Sequence, residues 1–335
     1  MLKNEIKQYI KNYSNKISVE NEGQFQQLAL RVFKRQAIEN ETYAAYLKLL
    51  GKDIEAISNL CEIPFLPVSF FKEYEIKTGE WQEKTIFTSS TTSGQTPSKH
   101  FVRDTKWYHQ LVKSGIEELM PISPPYTLIA LLPSYLERSG SSLVEMAKYW
   151  MKISGQPQEY FFINNFEELS NRIKKLFEVS QRIVLLGVTY ALLDFSKQHG
   201  ELPADSIVIE TGGMKGQRKE MTKNEVHAIL KKNFKLEDIW SEYGMCELFS
   251  QAFGKGSRMT PAPTLKAIGR ELNDPFKTGI TGRTVGLNFI DLGNVDTLSF
   301  IETADQGIVY PDGTFEIIGR IDGSETRGCN LMYGH

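Results

Sequence analysis

The chain has 335 residues, 39 basic and 41 acidic side chains, a formal charge of −2 and 41% apolar residues. That balance offers no basic excess to neutralise nucleic-acid phosphates, and no run of 18 apolar residues reads as a membrane span. At ~150 residues per domain, the length fits about two domains or one large body with subdomains, enough to fold without disulfides.

The first eighty residues read as helical. From Glu22 to Leu50, Phe25, Leu28, Val32, Phe33, Ala37, Tyr43, Tyr46 and Leu49 recur at spacings near three and four. Pro64 and Pro67 then break the pattern, and Ile63–Val68 is expected to be extended. Next, short apolar runs alternate with amphipathic stretches. Thr127–Leu132, Ile183–Val188 and Ile207–Ile209 are predicted strands, and Ser141–Ile153, Phe166–Val179 and Thr222–Phe234 predicted helices. This alternation argues for an α/β fold with a largely parallel sheet. From Ile268 to Ile321 strands dominate. They are punctuated at Asp291-Leu292-Gly293, Asp305-Gln306-Gly307 and the turn Pro311-Asp312-Gly313-Thr314, which predicts a small β-rich subdomain.

Cysteine usage adds little structure. Cys61, Cys246 and Cys329 are scattered and odd in number, so they do not form a disulfide framework, and no CxxC pair points to zinc. The N-terminal residues are too charged for a secretion signal. A cytoplasmic protein is the expectation.

Four segments carry the chemical signal. Thr88–His100 is hydroxyl-rich, with one glycine, Gly94, and a cationic end at Lys99. Backbone N–H groups and short hydroxyls in such a loop can wrap a polyphosphate, and Lys99 can neutralise it. The same composition suits a solvated linker. Neither GxxxxGK[ST] nor GxGxxG is present, so a Walker loop and a dinucleotide fingerprint are both excluded. Trp240–Glu247 follows the apolar Ile239, at a predicted strand end where α/β proteins place ligands. There Glu247 offers a carboxylate to Mg²⁺, a hard ion that favours oxygen ligands, and Tyr243 a ring to a planar base. Gly212-Gly213, directly after a predicted strand, marks a close approach of backbone to a neighbour or ligand. Thr303-Ala304-Asp305 and Gly319-Arg320-Ile321-Asp322 come last.

In this order the segments resemble motifs of the adenylate-forming superfamily of acyl- and aryl-CoA ligases, adenylation domains and luciferases. Thr88–Lys99 is similar to its TSGTTGxPK phosphate loop, Tyr243–Glu247 to YGxTE, Thr303–Asp305 to TGD, and Gly319–Asp322 to the GRxD hinge. Leu132–Arg138, Ser241–Gln251 and Ser324–Asn330 resemble the acyl-protein synthetase branch, the fatty-acid-activating component of bacterial luminescence reductase, itself near phenylacetate-CoA ligases.

The resemblance implies the large N-terminal domain of such enzymes, ATP and Mg²⁺ as partners, and activation of a fatty or aryl acid as an acyl-adenylate. It implies a helical region over residues 1–80, an α/β adenylate-binding body over 81–265, a β-rich subdomain over 266–322 and a short tail over 323–335. Ser89, Ser90, Thr91, Thr92, Gly94 and Lys99 would hold the β- and γ-phosphates, and Glu247 the metal. Asp305 would hold the ribose, aided by Arg320, while Gly212, Gly213, Tyr243 and Gly244 would line the adenine. His100 is a further candidate for the phosphates, and Leu131–Leu143 for the acid pocket.

Three departures shape the expectation. The loop has fewer glycines than the family pattern. Cys246 stands where the motif has threonine, and a thiol donates more weakly than a hydroxyl. Only thirteen residues follow Asp322, too few for the lysine-bearing lid domain. An acyl-protein synthetase would instead pass the acyl group to a thiol near its C-terminus, which makes Cys329 the candidate acceptor and a partner protein the onward recipient. An acyl- or aryl-CoA ligase and a non-catalytic adenylate-binding subunit are the alternatives.

Overall fold

A computed structural model describes residues 1–13, 19–89, 96–133, 140–212 and 221–321. The chain opens with helices α1 (Leu2–Asn12), α2 (Val19–Glu39) and α3 (Glu41–Leu49). The predicted helical run from Glu22 to Leu50 is thus broken at Asn40, whose side chain accepts from the Tyr43 amide and caps α3. The extended stretch through Pro64 and Pro67 supplies β1 (Leu66–Pro67), followed by α4 (Phe70–Glu73) and a hairpin of β2 (Thr85–Thr88) and β3 (Lys99–Val102).

The central region alternates as predicted: α5 (Thr105–Leu119), β4 (Thr127–Leu131), α6 (Ser142–Ile153), β5 (Phe161–Phe162), α7 (Phe166–Glu178), β6 (Ile183–Val188), α8 (Thr189–His199), β7 (Ile207–Thr211), α9 (Lys223–Phe234) and β8 (Trp240–Tyr243). Strands β5, β4, β6, β7 and β8 are parallel neighbours. β4, β6 and β7 are buried along their whole length, which is why they read as unbroken apolar runs rather than alternating ones. Four of these five helices start at side-chain caps: Asp104 for α5, Ser141 for α6, Asn165 for α7, and a Thr222–Glu225 capping box for α9.

The sheet then turns antiparallel through β9 (Ala252–Lys255), β10 (Arg258–Pro261), β11 (Leu265–Arg270), β12 (Thr284–Asp291), β13 (Phe300–Val309) and β14 (Phe315–Arg320). All but the β2–β3 hairpin belong to one twelve-stranded mixed sheet. Its main path runs β11-β12-β13-β14-β10-β9-β8-β7-β6-β4-β5, and β1 pairs with β13. β10 is the link, pairing with β9 on one side and β14 on the other. Two of the predicted turns hold differently. Tyr310–Thr314 closes the β13–β14 hairpin with Gly313 at φ 79°. Asp305-Gln306-Gly307, by contrast, lies inside β13. Its glycine serves a register shift beside Gln306, where an added Cβ would meet the Glu316 carbonyl oxygen at 2.0 Å.

No described helix is long and apolar enough to cross a membrane. Of the cysteines, Cys61 and Cys246 are free thiols, and Cys329 lies outside the described residues.

The β9–β10 hairpin joins the parallel and antiparallel halves, and Gly254 permits its close approach. A Cβ there would sit 1.9 Å from the Arg258 carbonyl oxygen, a backbone atom with no room to yield. Gly254→Ala is therefore expected to cost about 1–3 kcal/mol of stability, in the range of overpacking. Urea denaturation would show it as a lower midpoint with an unchanged slope.

Candidate active site

The C-terminal ends of β7 and β8 open into a pocket walled by four parts of the chain. Thr88 and Ser89 come from the end of β2, and Ser141, Ser142, Leu143 and Met146 from the start of α6. Thr211, Gly212 and Lys223 come from the β7–α9 connection, and Glu242–Glu247 from β8 and the turn after it. Asp305, Ile317 and Arg320 close the wall from the antiparallel strands, with Tyr108 and Gln251 beside them. A ligand crevice beyond the carboxyl ends of parallel strands is the placement this architecture favours.

Of the residues singled out in sequence, Ser89, Gly212, Tyr243, Gly244, Glu247, Asp305 and Arg320 all line this pocket. Lys99 does not. It is exposed at the start of β3, paired in register with Thr88, and lies outside the pocket wall. Ser90, Thr91, Thr92, Gly94, Gly213 and Cys329 lie outside the described residues. The hydroxyl-rich segment nonetheless has a defined base. The Ser89 amide donates to the Ser98 carbonyl at 3.1 Å, and the Ser98 amide donates to the Ser89 hydroxyl at 2.9 Å. The Thr88 amide donates to the Gly140 carbonyl.

Tyr243, Asp305 and Arg320 form one unit. The Tyr243 hydroxyl donates to Asp305 Oδ2 at 2.8 Å, and Arg320 Nη1 lies 3.5 Å from Asp305 Oδ1. Asp305 and Arg320 are direct cross-strand partners on β13 and β14. The Tyr243 ring packs against Phe289 and edge-on to Phe315, with centroids 5.3 and 5.6 Å away. Gly244 lets the Glu242 carboxylate lie close over the backbone, since a Cβ would come 2.5 Å from Glu242 Oε1 and displace it. Gly212 leaves β7 at φ 72°, a conformation that a side chain resists.

The turn carrying Glu247 is held from outside itself. Asp291 accepts from the Phe249 and Ser250 amides at 2.8 and 2.9 Å and from the Ser250 hydroxyl at 2.7 Å. Asn294 Nδ2 donates to the Glu247 carbonyl at 2.8 Å. His100 is fully buried, with Nδ1 2.9 Å from the Cys246 carbonyl, Nε2 2.9 Å from Thr297 Oγ1, and its ring stacked 4.3 Å from Phe249. Burial pushes its pKa down to about 4, so it is neutral, and the Cys246 carbonyl requires the proton on Nδ1. His100 is thus a core residue that positions the turn rather than a ligand of phosphate, because it points inward along β3. Cys246 Sγ donates to the Ser98 carbonyl at 3.8 Å and so ties the turn to the base of the hydroxyl-rich segment. Leu131 is a core residue of β4, whereas Leu143 lines the pocket.

Sequence reasoning passed over a polar cluster beneath the pocket. Glu210 accepts from Ser241 at 2.6 Å and Thr189 at 2.8 Å, pairs with Lys223 at 3.2 Å, and lies 3.5 Å from His227. His227 is therefore a buried member of this network. Although burial raises the Glu210 pKa, the Lys223 ammonium, His227 and the Ser241 hydroxyl hold it well below the usual carboxylate range. Glu242 on the neighbouring strand takes a hydrogen bond from Thr211. Burial pushes it up to about 7, against that bond; the Glu210 charge adds to the rise and Lys223 opposes it. The signal for these carboxylates was visible in principle, as acidic residues inside apolar strand runs.

No protein-family model matches the sequence, and neither does any curated protein. Solved structures do. A 2-hydroxyisobutyryl-CoA ligase in complex with 2-HIB-AMP and CoA superposes with a TM-score of 0.65 at 11% identity, over 93% of this chain and 71% of that one. O-succinylbenzoate CoA synthetase from Bacillus subtilis, in complex with ATP and magnesium ion, gives 0.52 at 14% identity, over 76% of this chain and 55% of that one. The chain has the fold of adenylate-forming CoA ligases. Its large mixed sheet matches the body of those enzymes.

Two buried groups make stability depend on pH with opposite signs. His100, lowered from 6.5 to about 4, contributes stability that is present above 6.5 and lost as pH falls toward 4. Glu242, raised from 4.5 to about 7, contributes stability that is full below 4.5 and lost as pH rises through 7. Each window is worth on the order of 3 kcal/mol at ~1.4 kcal/mol per pKa unit. Relative to wild type, Glu242→Gln should therefore gain stability between pH 4.5 and 7.5, and His100→Gln should gain as pH falls from 6.5 to 4.5. Urea titrations at these pH values would read both differences.

Proposed function

We propose that the protein is an adenylate-forming ligase that activates a carboxylic acid with ATP. The observation that carries this reading is the convergence of Ser89, Gly212, Tyr243, Glu247, Asp305 and Arg320 on one pocket, although they are spread over more than 230 positions of the sequence. The ATP- and AMP-bound neighbours of the same fold support it. The nucleoside would lie against Tyr243 and Gly212, with its ribose hydroxyls donating to Asp305. Arg320 would keep that carboxylate oriented. The close backbone at Gly212 and Gly244 fits a flat base.

The substrate carboxylate oxygen attacks the α-phosphorus, forming a new O–P bond as the bond to the β-phosphate oxygen breaks and pyrophosphate leaves. No protein nucleophile is required. The work is positioning and charge stabilisation. Among the described residues, no group of three or more His, Cys, Asp or Glu could hold a metal alone. The buried Glu247 carboxylate suits Mg²⁺, which keeps water and phosphate oxygens as its other ligands. When bound, the ion neutralises developing charge on the phosphates. Glu247 would hold it, Thr88 and Ser89 would meet the phosphates from the loop base, and Cys246 would set the distance between loop and turn.

For the second half-reaction we propose an acyl-protein synthetase-like transfer, with the Cys329 thiolate attacking the acyl carbon and AMP leaving. The resemblance of residues 241–251 and 324–330 to that branch supports it. The CoA-ligase alternative draws on the structural neighbours.

Carboxylate-dependent ATP–pyrophosphate exchange tests the first step. Glu247→Gln and Asp305→Ala are each expected to lower exchange about 100-fold, in the range for losing one charge-stabilising group. Exchange at background for every acid, with no adenylate detected, would overturn the reading. Incubation with ATP and a radiolabelled acid tests the second step, since a base-labile label on the peptide holding Cys329 is expected. A label on CoA with none on protein would favour the alternative.

A further inference from the structure

The pocket is not a plain hydrocarbon sleeve. Successive side chains on a strand point to opposite faces of the sheet. On β8, Tyr243 therefore faces the aromatic and acidic groups of the antiparallel strands, while Glu242 faces the other way. There it meets Thr211, its direct cross-strand partner on β7. Tyr108 of α5 lines the same pocket, and its hydroxyl donates to the Ser142 carbonyl at 2.9 Å. Leu143 and Met146 of α6 add apolar surface to the same pocket.

Two acceptors converge in it. Glu242 is 7% exposed, and one of its oxygens is engaged by Thr211. Its other oxygen lies over Gly244, beside the Gln251 side chain. An added Cβ on Gly244 would be 2.5 Å from Glu242 Oε1 and 3.6 Å from Gln251 Cγ. Gln251 is 4% exposed and lines the same pocket. Its Nε2 donates to the Phe249 carbonyl at 2.9 Å, which leaves Oε1 buried with no hydrogen-bond partner among the described residues. A buried carbonyl oxygen left without a donor is destabilising. The Lys223 ammonium is already paired with Glu210, so the Glu242 carboxylate has no salt-bridge partner among the described residues. Buried charges and amide oxygens persist where something supplies their donors.

We propose that the acid activated here carries a hydrogen-bond donor, an amino or hydroxyl group on an apolar aryl or short aliphatic body, which Glu242 and Gln251 bind together. This rests on the adenylate-forming reading and names the substrate class of that site. Leu143 and Met146 hold the body of the acid, and its carboxylate points toward Glu247 and the phosphates. A simple fatty acid would offer Glu242 no donor and would leave the buried Gln251 Oε1 unmet. Sites built to bond a substrate hydroxyl or amine discriminate strongly against analogues lacking it.

The test uses stable sulfamoyl analogues of the acyl-adenylate, so that binding is read without turnover. Probes carrying 4-aminobenzoyl, 4-hydroxybenzoyl and 4-methylbenzoyl groups share one nucleoside and one shape, and calorimetry gives their affinities for the full chain. The amino and hydroxyl probes are expected to bind at least tenfold more tightly than the methyl probe, and their order names the donor. Glu242→Gln and Gln251→Leu should each reduce that preference severalfold, with thermal melting confirming a folded variant. Equal binding of all three probes to wild type would overturn this inference and leave the adenylate reading standing. If Glu242→Gln weakened AMP and every probe alike, Glu242 would be reading the adenine amine, and the inference would fall. Failure of every probe to bind would remove the adenylate reading and this inference with it.

Discussion

Ten consecutive residues, Asp291 to Phe300, are buried, and half of them are polar. Such a stretch must find its hydrogen-bond partners inside the protein, and the way it does so fixes the site. On one side Asp291 and Asn294 take the backbone of Glu247, Phe249 and Ser250. Thr297 meets His100, which in turn meets the Cys246 carbonyl. On the other side the N-terminal helices reach in. Gln36 donates to the Asn294 carbonyl and accepts from the Ser299 amide, Asn40 donates to the Thr297 carbonyl, and Lys3 pairs with Asp296. The helices that begin the chain are therefore part of the support for a turn more than 200 residues away.

This arrangement gives the pocket stiff and compliant parts. The turn after β8 is a loop by backbone pattern, yet its carbonyls and amides are spent on buried side chains, so Glu247 is presented from a rigid seat. Burial raises the pKa of Asp291, but its oxygens accept four donors, the Gly293 amide included, so the cost of burying it is offset by bonds that organise the turn. In the proposed phosphoryl chemistry rigid presentation would matter, because such catalysis depends on placement more than on covalent steps.

Legibility in the sequence followed physics. β4, β6 and β7 were readable because parallel strands buried on both faces need continuous apolar runs, and α6, α7 and α9 because one apolar stripe faces a sheet. The Asp305-Gln306-Gly307 stretch was read as a turn because Asp and Gly are turn formers. In the fold the same glycine relieves a register shift within a strand, which no local pattern distinguishes. At the site, Tyr243, Gly244, Glu247, Asp305 and Arg320 could be singled out from short motifs. His100 and His227 could not be placed, since a histidine's neighbours across the sheet are set by topology. Glu242 and Gln251 flank the motif residues but were passed over because their partners, Thr211 and Gly244, become neighbours only once β7, β8 and the following turn are packed.

The β1 strand has a consequence for how the protein comes into being. Leu66 pairs with Ile301, and the Val68 amide bonds to the Glu302 carbonyl. A ribosome adding 5–20 residues per second makes the early half of that pair wait roughly 10–50 s for the late half. Through that interval the apolar faces of α2 and α3 and the open edge at Leu66 stand without their cover. Contacts of such long sequence separation also slow folding, because loop closure must precede their reward. The sheet can thus close at β1 only after the late strands have been made, and until then the first hundred residues must hold off aggregation.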